Sequence, residues 1–469
     1  MINTFFVNID IFRAILFIFN TYVLALSFGA IVLFFINLLP QFISRFIKKP
    51  NCKSFIISMT LFTCTFFHTT RNIIIIMSFS LLVLFSINFI LSVITILCKK
   101  MKHRNAKHIY GGDTYPKISV IFPVKNESKC ICSSLDKVFN LDYPISNLNV
   151  IVVDDHSTDN TMEVITEYSK KHPLTIIKND TKPGKASALN MVLTKISTEY
   201  VLILDADHHI SKNFLKNGLS FFKDPDIALV QGKSRIRNGK NSFLAKITEG
   251  EYHILQNVFY PARKTSIFLG SGGIFRYSAL MAAGPFNNSI PTEDWEMSYR
   301  LHQCGYKLIF CNDICTQELG PETIPDFFKQ RYRWMRGTWI GVKTQFNNML
   351  KSKNINLSQK IDFISFGAIP VTLTGYYIFN FFFLFGFFNI INPPVTANIY
   401  FLSLIPYLIF NATGLILAKK FWMLPFVVVL VPYQYLLYSF SAFDAMFDEW
   451  VLNRNYNGLK SDRSKINMD

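Results

Sequence analysis

Long stretches without a charged residue constrain this chain most strongly. Residues 14–44, 72–98, 363–418 and 421–443 contain no Asp, Glu, Lys or Arg. A bilayer-crossing helix needs about 20 apolar residues, and only helices and closed barrels satisfy their backbone groups in lipid. We therefore predict two or three spans in residues 1–109, and three or four spans with a short tail in residues 361–469. Buried core helices are the alternative, but cores rarely need such lengths.

Basic residues beside the predicted spans indicate an orientation. The formal net charge is +17. The positive-inside rule places two basic clusters in the cytoplasm, provided that residues 54–70 form a short extra span. Without that span, the first cluster lies outside. The chain is thus expected to be a multi-pass membrane protein with its middle region in the cytoplasm. We expect the clusters to meet anionic lipid rather than nucleic acid, since no interleaved aromatic-basic signature of RNA binding is present. Their members are Arg45, Lys48, Lys49 and Lys53, then Lys99, Lys100, Lys102, Arg104 and Lys107.

The middle of the chain, residues 110–325, reads as one α/β domain. Apolar β-branched runs alternate with helical patterns, which predicts a parallel sheet with crossover helices. The predicted strands are 118–124, 149–154, 174–177, 200–204 and 227–231. The predicted helices are 134–140, 160–171 and 185–195, and Asp159 is a possible N-cap of the second.

Polar side chains recur at the carboxyl ends of these predicted strands. In an open parallel sheet, ligands bind outside those ends. A single strand-terminal Asp is as readily a turn former or a helix cap. Repetition at successive strand ends instead predicts a binding site. The residues are Pro123, Asn126 and Glu127 after the first strand, Asp154 and Asp155 after the second, and Asp205 and Asp207 after the fourth.

The pair Asp205 and Asp207 predicts a divalent cation site. Alternate residues at a strand end can direct two carboxylates the same way. One can hold Mg²⁺ or Mn²⁺, and the other can fix a ribose or a second metal position. His208 and His209 follow, and a solvated loop is the favoured interpretation of both.

Two further groups have chemical uses. Lys185 follows Gly184 at a predicted helix start, where a cation and free N–H groups favour a diphosphate; a solvated helix lysine is the alternative. Asp294 is a candidate base for an attacking hydroxyl, with Glu293 assisting. The alternative is a helix start with Thr292 as N-cap and acids in the first turn, and both interpretations can hold.

Residues 326–360 become amphipathic and basic, which predicts helices lying in a membrane interface. An ordinary surface helix of the domain is the alternative. Gln330 and Trp334 would share one helix face, with Arg333 beside them. Arg can clamp a diphosphate, and Trp offers a flat surface to a sugar ring.

Seven segments, taken in order, resemble the family 2 glycosyltransferases, the membrane-embedded synthases of cellulose, hyaluronan, chitin oligosaccharide and poly-N-acetylglucosamine. They are IFPVKNES, VVDDHSTDNT, KPGKASALN, LDADHH, FLGSGGIFRYSAL, TEDWEMSYRL and QRYRW. The resemblance implies a Rossmann-like GT-A domain between membrane helices and an inverting mechanism that yields β linkages. The stretch 268–271 lacks the cysteine of the cellulose-synthase pattern, and no cyclic-dinucleotide receptor domain follows the spans, which disfavours a bacterial cellulose synthase.

The resemblance also implies a role for each matching residue. Asp154 and Asp155 would contact the uracil, and the first-strand residues Pro123, Asn126 and Glu127 would join them in donor binding. Lys185 would meet the diphosphate, and Asp205 the nucleotide and, with Asp207, the metal. Asp294 would be the base, with Glu293 beside it. The acceptor and pyrophosphate set would be Gly270, Ser271, Gly272, Gln330, Arg333 and Trp334.

The leading functional hypothesis is a processive synthase that extends a β-linked polysaccharide from a UDP-sugar and passes it through its own spans. The alternative is a single transfer to a membrane lipid, and a remote one is an inactive membrane scaffold. The expected cofactor is Mg²⁺ or Mn²⁺. Expected partners are the UDP-sugar, a growing glycan or lipid acceptor, and membrane lipids. Accessory export proteins are a further class of partner that this hypothesis allows.

Overall fold

The protein is described from a computed structural model that covers residues 90–97, 115–387, 397–450 and 452. Residues 90–97 are helical. The remainder of the predicted N-terminal spans lies outside the described residues. In the part of the chain that the structure covers, no helix combines the length and the apolarity that crossing a bilayer requires. The membrane spans therefore stay predictions.

Four parallel strands form one half of an eight-stranded sheet with the order β3-β2-β1-β4-β7-β6-β8-β5. Strands in a sheet that is covered on both faces read as continuous apolar runs. Successive residues of β1 show this arrangement, because Val120 packs into one core and Ile121 into the core on the opposite face. The four strands are β1 (Ile118–Val124), β2 (Leu148–Asp154), β3 (Leu174–Lys178) and β4 (Tyr200–Ile203). The sequence predicted each of them to within one residue at either end.

The other half of the sheet is mixed, so the prediction of a wholly parallel sheet was wrong. Strand β7 runs antiparallel to β4 and β6, and β5 runs antiparallel to β8. Strand direction depends on where the preceding connection returns to the sheet, which a strand's own residues do not encode. Here a turn with two positive-φ glycines, Gly270 and Gly272, feeds the chain into β7. The strands are β5 (His209–Ile210), β6 (Ile227–Ile236), β7 (Gly273–Arg276) and β8 (Lys307–Glu318).

Helices flank the sheet and extend the chain beyond it. The three predicted helices are α1 (Ile131–Phe139), α2 (Thr161–Ser169) and α3 (Lys185–Leu193), the first beginning three residues earlier than predicted. Asn160 occupies the N-cap position of α2, while the Asp159 carboxylate accepts the Thr161 N–H at 3.0 Å. The domain also contains α4 (Phe214–Leu219), α5 (Phe243–Ile254), α6 (Tyr277–Ala282) and α7 (Glu293–Gln303). The C-terminal third contains α8 (Ile324–Lys351), α9 (Leu357–Gly367), α10 (Ile369–Phe387), α11 (Ala397–Leu417) and α12 (Val427–Trp450).

Helix α8 is one continuous helix of 28 residues. Thr323 is its N-cap residue, and the Thr323 hydroxyl accepts the Asp326 N–H at 3.3 Å. Two of its cations, Arg331 and Arg336, are buried, at 0% and 3% exposed. Both side chains point inward because each forms an ion pair: Arg331 pairs with Glu251 of α5, and Arg336 pairs with Glu449 of α12. Contact of α8 with lipid stays a prediction.

Candidate active site

Asp155 holds the turn that begins α3. The Gly184 N–H donates to both of its carboxylate oxygens, at 3.0 and 2.9 Å, and Asn179 Nδ2 donates to one of them at 2.8 Å. Gly184 has a φ of +145°, which side-chain-bearing residues rarely adopt. Asp155 therefore positions Lys185, the next residue.

One buried carboxylate oxygen of Asp154 is available to accept a hydrogen bond from a ligand. The residue is 6% exposed, and its Oδ1 has no hydrogen-bond partner among the described residues. Nearby, the Asn126 side-chain oxygen accepts the Thr158 N–H at 2.7 Å, and the Glu127 N–H donates to Thr161 Oγ1 at 2.9 Å. A buried acceptor without a donor costs free energy unless a ligand supplies one. Asp154 is thus suited to a base or ribose donor group.

Asp205, Asp207 and His208 form an acidic cluster whose ligand atoms all lie within 4.8 Å of one another. Asp207 Oδ2 accepts the Leu319 N–H at 3.1 Å. His208 lies 3.3 Å from Asp207 and 3.7 Å from Glu318 Oε1. Two carboxylates fit Mg²⁺ or Mn²⁺, which prefer oxygen ligands.

His208 is not the solvated residue that the sequence suggested, because it is 3% exposed. Burial lowers its pKa, but the charges and hydrogen bonds of Glu318 and Asp207 outweigh burial and raise the pKa to about 10. Asp205 and Asp207 supply the oxygen ligands that Mg²⁺ and Mn²⁺ prefer, and His208 lies beside them. His209 pairs with Gln317 in the short strand β5.

Lys185 connects the acidic cluster to the glycine turn before β7. Its Nζ lies 2.6 Å from Asp205 Oδ1 and donates to the Gly270 carbonyl at 2.7 Å. Burial lowers the pKa of Lys185, but Asp205 and then Glu293 raise it overall, so the ammonium is retained. The Asp205 N–H donates to Ser271 Oγ at 2.9 Å.

Asp294 lies in the first turn of α7. Its Oδ1 accepts the Trp295 N–H at 2.8 Å. Burial and the neighbouring Glu293 charge raise the pKa of Asp294 to about 7, against the opposing effects of that N–H, Lys185 and Arg333. Thr292 occupies the N-cap position as the alternative interpretation required, although its side chain makes no capping hydrogen bond. The helix start and the candidate base therefore coexist.

Two glycines bring α8 close to α7. A Cβ at Gly341 would lie 2.7 Å from the Trp295 ring, and one at Gly337 would lie 2.7 Å from Thr292 Oγ1. This close approach lets Gln330, Arg333 and Trp334 reach the cavity beside Asp294.

These elements enclose a cavity of about 290 Å³. The sequence-predicted residues that line it are Lys185, Asp205, Gly270, Glu293, Asp294, Gln330, Arg333 and Trp334. Other predicted residues, all within the described part, lie outside its lining: Pro123, Asn126, Glu127, Asp154, Asp155, Asp207, Ser271 and Gly272. Only the first residue of the predicted Gly270–Ser271–Gly272 acceptor stretch therefore faces the cavity.

Part of the cavity wall is aromatic and apolar. This part includes Phe366, Ile369, Leu373, Phe410 and Tyr438, from helices α9 to α12. Sequence reasoning missed these residues individually because nothing in their apolar surroundings distinguishes a cavity wall from a packing contact.

Comparison with known proteins assigns the family. Residues 200–443 match the sequence model described as glycosyl transferase family group 2. The chain belongs to this family. The GT-A-like glycosyltransferase fold and the family predicted from the sequence are thereby confirmed, with a mixed rather than a parallel sheet.

Relatives of this family 2 glycosyltransferase share about half of its length. The poly-beta-1,6-N-acetyl-D-glucosamine synthase of Staphylococcus epidermidis is 33% identical over 245 residues, which cover 51% of this chain and 59% of that protein. The same enzyme of Staphylococcus aureus strain COL is 30% identical over 258 residues, covering 54% and 62%. This chain therefore spans less than two thirds of these relatives.

A solved structure shares the fold. The mannosyltransferase PcManGT from Pyrobaculum calidifontis, in complex with GDP-Man and Mn²⁺, aligns with a TM-score of 0.52 and 20% identity. The alignment covers 79% of this chain and 99% of the mannosyltransferase.

Proposed function

We propose that this chain is an inverting, metal-dependent glycosyltransferase that moves a sugar from a UDP-sugar to the end of a growing β-linked glycan. One observation carries the proposal. Four separate segments place Lys185, Asp205, Asp294 and Arg333 in the lining of a single cavity. An ammonium and a guanidinium suit a diphosphate, and a carboxylate suits an acceptor hydroxyl.

Asp294 serves as the general base. A carboxyl with a pKa of about 7 is ionised in about half of the molecules at neutral pH, and a pKa near the working pH suits a general base. The acceptor oxygen attacks the anomeric carbon on the face opposite to UDP and forms the new glycosidic bond. The bond from the anomeric carbon to phosphate oxygen breaks, and UDP leaves with that electron pair. The hydroxyl proton passes to Asp294, and the anomeric configuration inverts.

Lys185 and Arg333 bind the diphosphate. Asp205 and Asp207 would hold Mg²⁺ or Mn²⁺, which supplies charge neutralisation for the departing UDP. The unsatisfied Oδ1 of Asp154 accepts from the uridine, at the same sheet edge as the cluster.

The product is proposed to be a polymer of N-acetylglucosamine. Two observations support this: the relatives are named poly-beta-1,6-N-acetyl-D-glucosamine synthase, and Phe366, Phe410 and Tyr438 line the cavity. Aromatic faces pack against sugar rings, so this part of the wall suits the growing chain. We further propose that the enzyme is processive, sits in a membrane with its catalytic domain in the cytoplasm, and passes its product between the C-terminal helices.

Purified full-length chain in lipid nanodiscs, given a panel of UDP-sugars with Mg²⁺ or Mn²⁺, tests the proposal. The expected result is UDP release and a ladder of N-acetylhexosamine masses from UDP-N-acetylglucosamine, both reduced by at least about 100-fold with Asp294→Asn. A lipid-soluble adduct of one sugar would instead establish the glycolipid alternative. Absence of UDP release from every donor would support the inactive scaffold.

A further inference from the structure

A π-helical turn interrupts the helix that follows β6. Helix α5 ends at Ile254, residues Leu255–Phe259 form the π turn, and Tyr260–Ala262 resume the α-helix. The Tyr260 N–H donates to the Leu255 carbonyl five residues earlier. Such turns are rare and are frequent at functional sites.

One side of this turn is packed firmly against α11. Ile254 and Val258 belong to a buried cluster with Phe410 and Leu415. A Cβ at Gly414 would lie 2.6 Å from the Ile254 Cα, so the two helices are in close contact. The turn is therefore held in place by packing, and Gln256 between these two anchors is presented to the cavity.

Two neighbouring amide side chains on the turn differ in their hydrogen bonding. Asn257 is satisfied, since its Oδ1 accepts from Lys233 Nζ at 2.8 Å and its Nδ2 donates to the His253 carbonyl at 2.7 Å. Gln256 is only 4% exposed, and its Oε1 has no hydrogen-bond partner in the described ranges of the chain. Burying the Oε1 oxygen without a hydrogen-bond donor costs free energy, which a ligand that supplies a donor would recover.

The surroundings of Gln256 fit a sugar. Tyr252 and Tyr260, four residues before and after it, also line the cavity. Tyr260 and the candidate base Asp294 line the same cavity, and burial, followed by the charge of Glu251, raises the pKa of Tyr260. Gln256 lies four residues before Tyr260 and lines the same cavity as Asp294.

We propose that Gln256 binds the acetamido group of a sugar unit in the acceptor glycan and makes the cavity selective for an N-acetylated chain. A carboxamide offers an acceptor and a donor in one plane, and an acetamido group offers the matching N–H and carbonyl. A site built for such pairing discriminates strongly against an analogue that lacks the group. This proposal deepens the proposed function and rests on it for the identity of the acceptor.

The test is binding of soluble oligosaccharides to the full-length chain in nanodiscs, measured by calorimetry with UDP present. The probes are the β-linked N-acetylglucosamine tetramer and its de-N-acetylated counterpart. The intact protein should bind the acetylated tetramer at least about 10-fold more tightly. Gln256→Leu should bring the ratio of the two affinities close to one. Gln317→Leu, an exposed glutamine outside the cavity, should retain the preference.

Equal weakening of both tetramers by Gln256→Leu would overturn the proposal, because it would indicate a structural role. An unchanged preference would overturn it as well. If Gln256→Leu does not fold, Gln256→Glu, which keeps the size and the acceptor oxygens but loses the amide donors, should still reduce the preference. Binding and turnover are separate measurements, so absence of sugar transfer would count against the proposed function while the affinity ratio still decides the role of Gln256.

Discussion

The guanidinium of Arg331 on α8 lies 2.7 Å from the carboxylate of Glu251 on α5, and both side chains are buried. Tyr438 of α12 donates its hydroxyl to the same carboxylate. The guanidinium also lies 4.2 Å from the centre of the Trp334 ring, and Arg331 donates to the Gln330 side-chain oxygen at 2.7 Å. Through Arg331, this ion pair is connected to Gln330 and Trp334, two members of the expected acceptor and pyrophosphate set.

Removing one partner of this pair should destabilise the protein. Arg331→Met leaves the Glu251 charge buried without its cation, which costs about 3–5 kcal/mol. The double variant Arg331→Met with Glu251→Gln removes both charges and should recover part of that loss. Denaturant unfolding of the single and double variants measures the difference. A loss in the double variant equal to the sum of the losses in Arg331→Met and Glu251→Gln would show that the two charges do not depend on each other.

Asp294→Asn should leave UDP-sugar binding largely intact and reduce transfer by about 10²- to 10⁴-fold, the usual contribution of general base catalysis. Calorimetry with the UDP-sugar and UDP release under saturating substrate give the two quantities. Retained turnover would remove Asp294 from the role of base.

Transfer should decline as the pH falls through about 7, because protonated Asp294 cannot accept the hydroxyl proton. Glu293→Gln removes a like charge that raises the pKa of Asp294. The midpoint of the acidic limb of kcat should therefore move to lower pH in this variant. A midpoint that stays in place or moves upward would show that the limb reports another group.

Gly270→Ala and Gly305→Ala form a matched pair. Both glycines have a left-handed φ, +83° and +89°, where a side chain costs about 1–2 kcal/mol. A Cβ at Gly270 would lie 3.0 Å from Asp294 Oδ2, whereas one at Gly305 would approach nothing closer than 3.7 Å from Asn354. Similar losses of stability are expected, but only Gly270→Ala should also lower kcat. Equal kcat in the two variants would contradict the placement of Asp294 against this turn.

Asp207→Asn should weaken metal-dependent UDP binding by more than about 10-fold, since even residues that support metal ligands contribute 10- to 100-fold. UDP titrations with and without Mn²⁺ report the effect, and chelation of the metal should have a comparable effect on the intact protein. An Asp207→Asn variant with an unaltered requirement for the metal would exclude Asp207 as a ligand.

Local patterns were sufficient to predict the first half of the sheet and eight of the residues that line the cavity. Strands β1 to β4 are uninterrupted apolar runs, and their parallel arrangement brings Asp154 and Asp205 to the same edge. The position of Lys185 was predictable because Gly184 favours a turn directly before a predicted helix. These features depend on residues adjacent in sequence.

Other features depend on distant partners, and no local pattern could reveal them. Arg331 has the sequence context of a surface cation, and only the approach of Glu251, 80 residues earlier, makes its burial favourable. His208 is buried for the same reason, with Glu318 opposite it. The turn that carries Gln256 packs against residues of α11, more than 150 positions later in the chain, and the direction of β7 depends on the path of the preceding connection.

Helix α8 is about 42 Å long at 1.5 Å per residue, and it is attached to α12 at several points. Tyr332 donates to Asp448 at 2.6 Å, Arg336 lies 3.6 Å from Glu449, and Lys343 lies 3.2 Å from the same carboxylate. Arg333 and Trp334 lie on the same stretch of α8. The catalytic region is consequently not a separable module: a fragment that ends before residue 427 would lose the scaffold that orients its own cavity-lining side chains.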